Sequence, residues 1–370
     1  MHTARIGRRP PERGVGIDRT LTTESQNLID LGHRLVPQLV RRSDRDAILG
    51  VAVSGSAARG DAGPSSDLDL MVIMADGTGD ERRLTVEGRT VSLVGCAPDY
   101  PAPLLRAGAP ILWVLRENAR LRAAIPIYDP MGIVGETQRR AAGLQPSRAM
   151  RAHWLDQAGE RADIAAAEIS ADPASAAMGL RAASMLALLP AMHDPALPPH
   201  LYYSKPKYEV AFIDRLPVQS HRMIYNDLHE RDRADARAFD RQRNAVEEMR
   251  SALLHGYTRN FMDDPTIAIA DRVTAFITDS EDVAATGQWD RAAPPLRYAA
   301  YELGWLAASR AGTPYTWSPD ALPTMNRLQL DRPFLAAQMI TDPSPTRLRR
   351  QAVNLAAVIR AEWQKLTDET

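Results

Sequence analysis

Two aspartates, Asp67 and Asp69, offer the clearest chemistry in the sequence, because they alternate with leucines in the run Asp-Leu-Asp-Leu. Alternate residues of a β-strand share a face, so both carboxylates point the same way while Leu68 and Leu70 point into the core. Two carboxylates this close repel each other unless a cation lies between them. Oxygen ligands of this kind suit Mg²⁺, which takes one or two carboxylates together with substrate phosphates. The pattern therefore predicts a magnesium site.

A glycine-containing segment before the aspartates carries residue types that bind phosphate. Gly55 allows the backbone to approach a ligand closely, and Ser56 is predicted to open a helix whose N–H groups favour phosphate. Arg59 adds a planar, positively charged guanidinium that can bind phosphate. Ser66 places a hydroxyl beside the aspartate pair. The segment 55–66 is therefore predicted to bind phosphate groups.

The order of these features resembles a known family. A strand that ends in Gly55-Ser56, a gap of about ten residues, and then Asp67-Leu68-Asp69-Leu70 is similar to the DNA polymerase β-like nucleotidyltransferase superfamily. The sequences GSAARG and SDLDL most resemble the motifs of its antibiotic and small-molecule branch, the aminoglycoside adenylyltransferase-like proteins. The resemblance implies that Asp67 and Asp69 bind one or two Mg²⁺ ions and act in catalysis. It also implies that Gly55 and Ser56 hold the triphosphate of ATP or another NTP.

The same resemblance implies a third carboxylate from a later strand, and the matching position is Ser92, in TVSLVG at 90–95. Serine is neither an anionic metal ligand nor a strong base. Glu87 is five residues away, on a strand that rises ~3.3 Å per residue, so it is not a simple replacement. Three interpretations stay open: a base from the helical domain or a partner subunit, one well-held metal with substrate-assisted deprotonation, or nucleotide binding without turnover.

A second motif, YYSKPKYEVAFIDRLP at 202–217, resembles a segment of streptomycin and spectinomycin adenylyltransferases. In those proteins Ser-Lys opens a helix and the lysine contacts the nucleotide phosphates. By that likeness Ser204, Lys205 and Lys207 are candidate nucleotide-binding residues, and Lys205 is the strongest of them. Pro206 departs from the resembled pattern. The competing interpretation is a pair of solvated surface lysines.

Hydrophobic periodicity predicts the elements that would position these residues. The predicted strands are 47–55, 67–74, a hairpin over 83–95 that turns at Glu87-Gly88, and 125–129; the predicted helices before residue 140 are 22–42 and around 103–123. The first 140 or so residues therefore read as mixed α/β.

Beyond residue 145 the pattern is almost entirely helical. Helices are predicted within 146–192 (split at Asp172-Pro173), 207–259, 263–285, 296–311 and 345–366, and prolines predict loops at 294–297 and 313–344. The predicted fold class is α/β plus all-α, an N-terminal nucleotidyltransferase domain with a mixed β-sheet followed by a helical-bundle domain. The predicted domains are a flexible tail at 1–21, a nucleotidyltransferase domain at 22–145, a helical substrate- and nucleotide-binding domain at 146–262, and a C-terminal helical extension at 263–370.

Composition limits the partners. The net charge of −1 provides no global basic field for nucleic acid, and no apolar run approaches the ~20 residues of a membrane span. The single cysteine, Cys96, fits a reducing compartment. We therefore expect a cytoplasmic protein, with nucleic acid and membranes disfavoured as partners, and a homodimer left open.

The resemblance implies a reaction, the transfer of a nucleoside monophosphate, AMP from ATP in the leading case, to a hydroxyl of a small molecule with release of pyrophosphate. The expected acceptor is an aminoglycoside-like antibiotic or another natural product. Two alternatives stand beside it. One is nucleotidylation of protein or tRNA, and the other, motivated by Ser92, is a catalytically decayed nucleotide-binding protein.

Overall fold

The structure is a computed structural model. It describes residues 21–42, 48–64, 66–76, 81–100, 102, 111–144, 146–194, 197, 206, 209–216, 218–254, 265–313, 318–340 and 343–368. Backbone proximity divides the chain into two compact units: the first takes in the chain up to Gln145 together with 195–202, and the second takes in 146–194 and 203–370. The expected boundary at 262 and nearly all of the expected N-terminal tail lie outside the described residues.

The first unit is built on a mixed five-stranded sheet, as the sequence predicted. Its strands are β1 (Ile48–Ser54), β2 (Leu68–Met74), β3 (Glu81–Val86), β4 (Arg89–Cys96) and β5 (Ile125–Tyr128). They are arranged in the order β3-β4-β2-β1-β5. β2 pairs with β4 in parallel, and the other pairs are antiparallel. The predicted hairpin turn is confirmed at Glu87 and Gly88, whose φ values of 52° and 74° suit a tight two-residue connection between twisted strands.

Helices cover both faces of this sheet. The helices of the first unit are α1 (Thr23–Arg42), α2 (Gly55–Arg59), α3 (Ile111–Ala123) and α4 (Ile133–Ala142). On one face Leu28 of α1 shares an apolar cluster with Val53 and Leu70. On the other face Leu121 of α3 clusters with Met71. Because both faces are buried, β1 and β2 are apolar almost throughout, and their polar residues are confined to the strand ends.

The second unit is helical wherever it is described. Its helices are α5 (Arg148–Glu168), α6 (Pro173–Met192), α7 (Glu209–Arg215), α8 (Gln219–Leu228), α9 (Ala236–Leu254), α10 (Pro265–Ala284), α11 (Trp289–Arg310), α12 (Ser318–Arg327), α13 (Asp331–Ala337) and α14 (Pro345–Asp368), with a 3₁₀ turn at Arg231–Arg233. The predicted break at Asp172 is confirmed, since its side chain caps α6 by accepting a hydrogen bond from Ser175 N. One hydrophobic cluster runs through this unit, from Ala158 to Ile359.

Two predicted loops are wrong. The segment 294–297 lies inside α11, where Pro294 and Pro295 are buried, and the segment 313–344 contains α12 and α13. Proline lowers helix propensity in isolation, but tertiary contacts outweigh that cost here. Gln242 Nε2 donates to Ala293 O at 3.1 Å beside the proline pair, and Phe334 of α13 is fully buried.

The expectation about membrane-length segments also needs correction. Among the described helices, α6 is long and apolar enough to cross a membrane by length and composition, yet 78% of that apolar window is buried inside the protein. Burial of this kind is what the central helix of a bundle shows. Length and composition alone are weak evidence for a membrane span.

Candidate functional site

The two aspartates lie where the sequence places them. Asp69 is the second residue of β2, and Asp67 immediately precedes the strand. Leu68 and Leu70 are fully buried in the cluster beneath α1, so the expected inward orientation of these two leucines is confirmed. Asp69 therefore faces the α3 side of the sheet, at the strand end, where its carboxylate is 22% exposed.

Gly55 brings the segment that the sequence predicts to bind phosphate against Asp69. Ser54 pairs with Asp69 across the sheet, and Gly55 follows with a left-handed φ of 67°. A Cβ atom at Gly55 would lie 2.0 Å from Asp69 Oδ2, so the carboxylate occupies the space that any other side chain would need. Glycine is required both by the backbone angle and by this close approach.

The helix predicted to open at Ser56 is a single short turn. α2 spans only Gly55–Arg59, starts one residue before Ser56, and ends at Gly60 with φ 87°. One helical turn carries a small dipole, so individual backbone N–H groups matter more here than a macrodipole. Arg59 is buried and its Nε donates to Asp61 Oδ2 at 3.2 Å. The nucleotide-binding roles of Ser56 and Arg59 stay predictions.

The start of α1 fastens the loop that joins α2 to β2. Thr22 N donates to Gly60 O at 3.2 Å, and Thr22 Oγ1 donates to Ala62 O at 3.0 Å. Ala62 N donates to Ser25 Oγ at 3.1 Å. Further along the loop, Gly63 N donates a hydrogen bond to Ser66 Oγ at 3.0 Å. The loop is therefore held from a second element.

Ser92 lies beside Asp69. The parallel register pairs Asp69 with Ser92, and neighbours in register project from the same face of a sheet. Ser92 is 4% exposed. Within the described parts of the chain no three His, Cys, Asp or Glu side chains form a group that could hold a metal ion. Asp69, and Asp67 just before the strand, are the candidate carboxylate ligands, and an Mg²⁺ ion held by them would be completed by phosphate and water oxygens.

No sequence pattern identified Arg120, a residue of α3 whose guanidinium lies near the Asp69 carboxylate. Its guanidinium lies 4.0 Å from Asp69 Oδ1, and its Nε donates to Ser54 Oγ at 3.1 Å. No motif or spacing relates Arg120 to Asp69, which is 51 positions earlier in the sequence. Only the packing of α3 against the sheet brings the two together.

Glu117, one turn before Arg120, holds that guanidinium in place. Arg120 Nη1 donates to Glu117 Oε2 at 3.3 Å, and Tyr100 Oη donates to the same carboxylate at 3.0 Å. Burial and the nearby Glu117 raise the pKa of Tyr100, so its hydroxyl keeps its proton. Burial also raises the pKa of Cys96 to about 12, which leaves this thiol neutral and a poor nucleophile.

Part of the second motif forms α7, Glu209–Arg215, while other residues of the motif lie outside the described residues. Those other residues include Ser204, Lys205 and Lys207, whose proposed roles stay predictions. Pro206 alone is described between them; it is buried and lies in a 3₁₀ turn.

Residues 35–101 match the family model for a nucleotidyltransferase domain. The matched segment runs from α1 through β4 and so includes Gly55, Asp67, Asp69 and Ser92. The nucleotidyltransferase match supports transfer of a nucleoside monophosphate in general, and it covers less than half of the chain. It does not separate the aminoglycoside adenylyltransferase-like branch from the others.

Other comparisons add little. The chain is similar to a solved nucleotidyltransferase-like protein from Exiguobacterium sibiricum 255-15, with 10% identity over 91% of this chain and 79% of that one and a TM-score of 0.25. A TM-score this low bears on neither fold nor activity. No curated protein matches the chain.

Proposed function

We propose that the protein is a metal-dependent nucleotidyltransferase that moves a nucleoside monophosphate, AMP from ATP in the leading case, to a hydroxyl of a small molecule. The observation that carries the proposal is the approach of Gly55 to Asp69 Oδ2. It supports the proposal because it brings the backbone segment proposed to bind phosphate against one of the carboxylates proposed to bind the metal, and phosphoryl transfer needs both groups together.

The proposed reaction is an in-line displacement at the α-phosphorus. The acceptor oxygen forms a bond to that phosphorus, the bond to the oxygen bridging the α- and β-phosphates breaks, and pyrophosphate leaves. Asp67 and Asp69 would hold Mg²⁺, which would neutralise charge on the phosphate oxygens. The acceptor proton goes to a base outside the sheet or to a phosphate oxygen, because Ser92 cannot take it.

The nucleotide would be held by residues of both sequence motifs. The proposed nucleotide-binding residues are Gly55, Ser56, Arg59, Ser66, Ser204, Lys205 and Lys207. The bound form of the substrate would be the Mg²⁺ complex of ATP or another NTP.

The acceptor we favour is an aminoglycoside-like antibiotic or another hydroxylated natural product, on the sequence resemblance. The near-neutral net charge supports a small acceptor over tRNA, since nucleic-acid binding relies on basic surface. We also propose a cytoplasmic location and no membrane partner, and a homodimer is a further proposal.

The direct test is to incubate the protein with Mg²⁺, each radiolabelled NTP and a panel of aminoglycosides and related natural products. The expected result is pyrophosphate release that depends on both the NTP and one acceptor, and loss of that release in Asp69→Asn. Label transferred to RNA or protein would instead place the acceptor among macromolecules. Unchanged release in Asp69→Asn would contradict the assigned site.

A second candidate function is nucleotide binding without turnover, and Ser92 is the observation that favours it. Serine at the position beside Asp69 removes a carboxylate that would complete the metal site or accept a proton. This candidate expects tight Mg²⁺-dependent ATP binding by calorimetry and no pyrophosphate release with any acceptor. Release above the background of Asp69→Asn would exclude it.

A further inference from the structure

The two oxygens of the Asp69 carboxylate have different neighbours. Oδ2 lies against the bare backbone of Gly55, at 2.0 Å from where a Cβ would be. Oδ1 faces the guanidinium of Arg120 at 4.0 Å. One oxygen of this carboxylate therefore packs against the backbone of the segment proposed to bind phosphate, while the other already has a positive charge next to it.

Arg120 is held in this position by other groups. Its Nε donates to Ser54 Oγ at 3.1 Å and its Nη1 donates to Glu117 Oε2 at 3.3 Å. Tyr100 Oη fixes Glu117 at 3.0 Å. A side chain anchored at two points and 19% exposed is a fixed charge of the site, and it is available without reorganisation when a ligand with negative charge arrives.

A carboxylate that bridges two metal ions gives one oxygen to each ion. At Asp69 a second divalent ion on the Oδ1 side would approach the Arg120 cation, and like charges repel strongly at such distances. That ion would also find no carboxylate at Ser92, the neighbour of Asp69 in the sheet. Both features oppose a second ion, and both are compatible with a single ion on the Oδ2 side.

We propose that this site binds one divalent ion with its nucleotide, and that Arg120 supplies the second positive charge in place of another ion. The inference rests on the proposed function, because it assumes that Asp67 and Asp69 bind the metal complex of a nucleoside triphosphate. It makes Arg120 a specificity-determining residue for metal number, and it explains Ser92 and Arg120 together as complementary features of one arrangement.

The test is the number of Mn²⁺ ions bound per chain, measured by electron paramagnetic resonance titration in the presence of a non-hydrolysable ATP analogue. For the wild type we expect one ion. We expect Arg120→Gln to weaken binding of the analogue at least about tenfold, as loss of a charged contact does. The double variant Ser92→Asp/Arg120→Gln removes the fixed cation and adds a carboxylate beside Asp69. We expect it to bind two ions.

The matched control is Arg139→Gln, an exposed arginine of the same unit that pairs with Glu136 on α4; it should leave ion number and analogue affinity unchanged. Should Arg120→Gln fail to fold, Arg120→Lys keeps the positive charge and removes only the guanidinium. For this variant we expect one bound ion and a smaller loss of affinity for the analogue. Two ions in the wild type, or unchanged affinity in Arg120→Gln, overturns the proposal. If acceptor-dependent transfer occurs with two ions, only this inference fails. If the wild type binds no nucleotide, the proposed function fails with it.

Discussion

At the scale of single residues, Gly55 is the position on which the site depends most directly. Its φ of 67° already disfavours any other residue, and the missing Cβ leaves the volume that Asp69 Oδ2 fills. We expect Gly55→Ala to lower the free energy of unfolding by on the order of 1–3 kcal/mol, to displace the Asp69 carboxylate and to abolish Mn²⁺-dependent binding of an ATP analogue. Chemical denaturation and calorimetry would measure the two effects.

Gly63 is the matched control for that substitution, because it lies in the loop that follows α2 and a Cβ there would meet no atom within 4 Å. Gly63→Ala should change stability and metal binding little. Equal losses in the two variants would show that the loop is sensitive to any added side chain and that the approach of Gly55 to Asp69 is not special.

Lys205 is the residue through which the sequence resemblance reaches beyond the first unit. If its ammonium contacts the triphosphate, Lys205→Ala should raise the Kd for ATP roughly tenfold to a hundredfold, as loss of a charged contact does. Lys207→Ala, two positions away, should have a smaller effect. Equal and negligible effects on the Kd, measured by calorimetry, would favour the interpretation of two solvated surface lysines.

At the scale of elements, α1 positions the loop between α2 and β2. Thr22 Oγ1 donates to Ala62 O and accepts from Ser25 N at 3.1 Å, so one hydroxyl both caps the helix and fastens the loop. Thr22→Val keeps the shape and removes these two hydrogen bonds, together with the one between Thr22 Oγ1 and Ser25 Oγ at 2.8 Å. We expect a loss of about 1–2 kcal/mol in the free energy of unfolding, and a KM for the nucleotide that rises more than kcat falls.

The exposed neighbour Thr23 provides the control for Thr22. Thr23→Val should leave the KM for the nucleotide unchanged, because no hydrogen bond from its side chain to the loop is recorded among the described residues. A Thr22→Val enzyme with normal KM would show that the loop keeps its position without α1.

At the scale of the whole molecule, the second unit buries an ionic group in its interior. Arg297 Nη2 donates to Glu209 Oε1 at 3.0 Å and to Tyr225 Oη at 3.1 Å, and Tyr225 Oη donates to Glu209. Breaking a buried pair costs about 3–5 kcal/mol because it leaves a charge without its counter-ion. We expect that loss for Arg297→Met, measured by denaturant unfolding.

An exposed ion pair of the same unit gives the comparison. Arg272 Nη2 lies 2.8 Å from Glu302 Oε2 with 48% of the arginine side chain exposed, and Arg272→Met should cost only about 0–1 kcal/mol. In the double variant Glu209→Gln/Arg297→Met, part of the larger loss should be recovered. Equal costs for Arg297→Met and Arg272→Met would contradict the assigned importance of burial.

Acid should destabilise the protein partly through His193. Burial lowers the pKa of His193 from 6.5 to about 4, so between these values the unfolded chain takes up a proton that the folded chain does not. The stabilisation is complete above pH ~6.5 and is lost as the pH falls toward about 4, on the order of 2 kcal/mol at pH 4.5. His193→Gln should reduce the difference in unfolding free energy between pH 7.5 and 4.5, whereas His33→Gln, at an exposed position, should not.

Periodicity predicted the five strands of the first unit together with α1 and α3, since buried strands and an amphipathic α1 repeat their apolar residues at fixed spacings. It did not predict α4 (Ile133–Ala142). It failed for α11, α12 and α13, where prolines indicated loops. Local propensity is worth only a few kcal/mol per proline, and the burial of residues such as Pro294 and Phe334 outweighs it. That burial depends on distant segments, which no local window contains.

For the candidate site, the residue types and spacing of one local motif predicted Gly55, Asp67 and Asp69, and the family resemblance indicated Ser92. The tertiary structure alone decided that Arg120 faces Asp69, that Glu117 supports it, and that Arg59 pairs with Asp61. Contacts from a helix packed across a sheet depend on its orientation, and that orientation is set by core packing rather than by any motif.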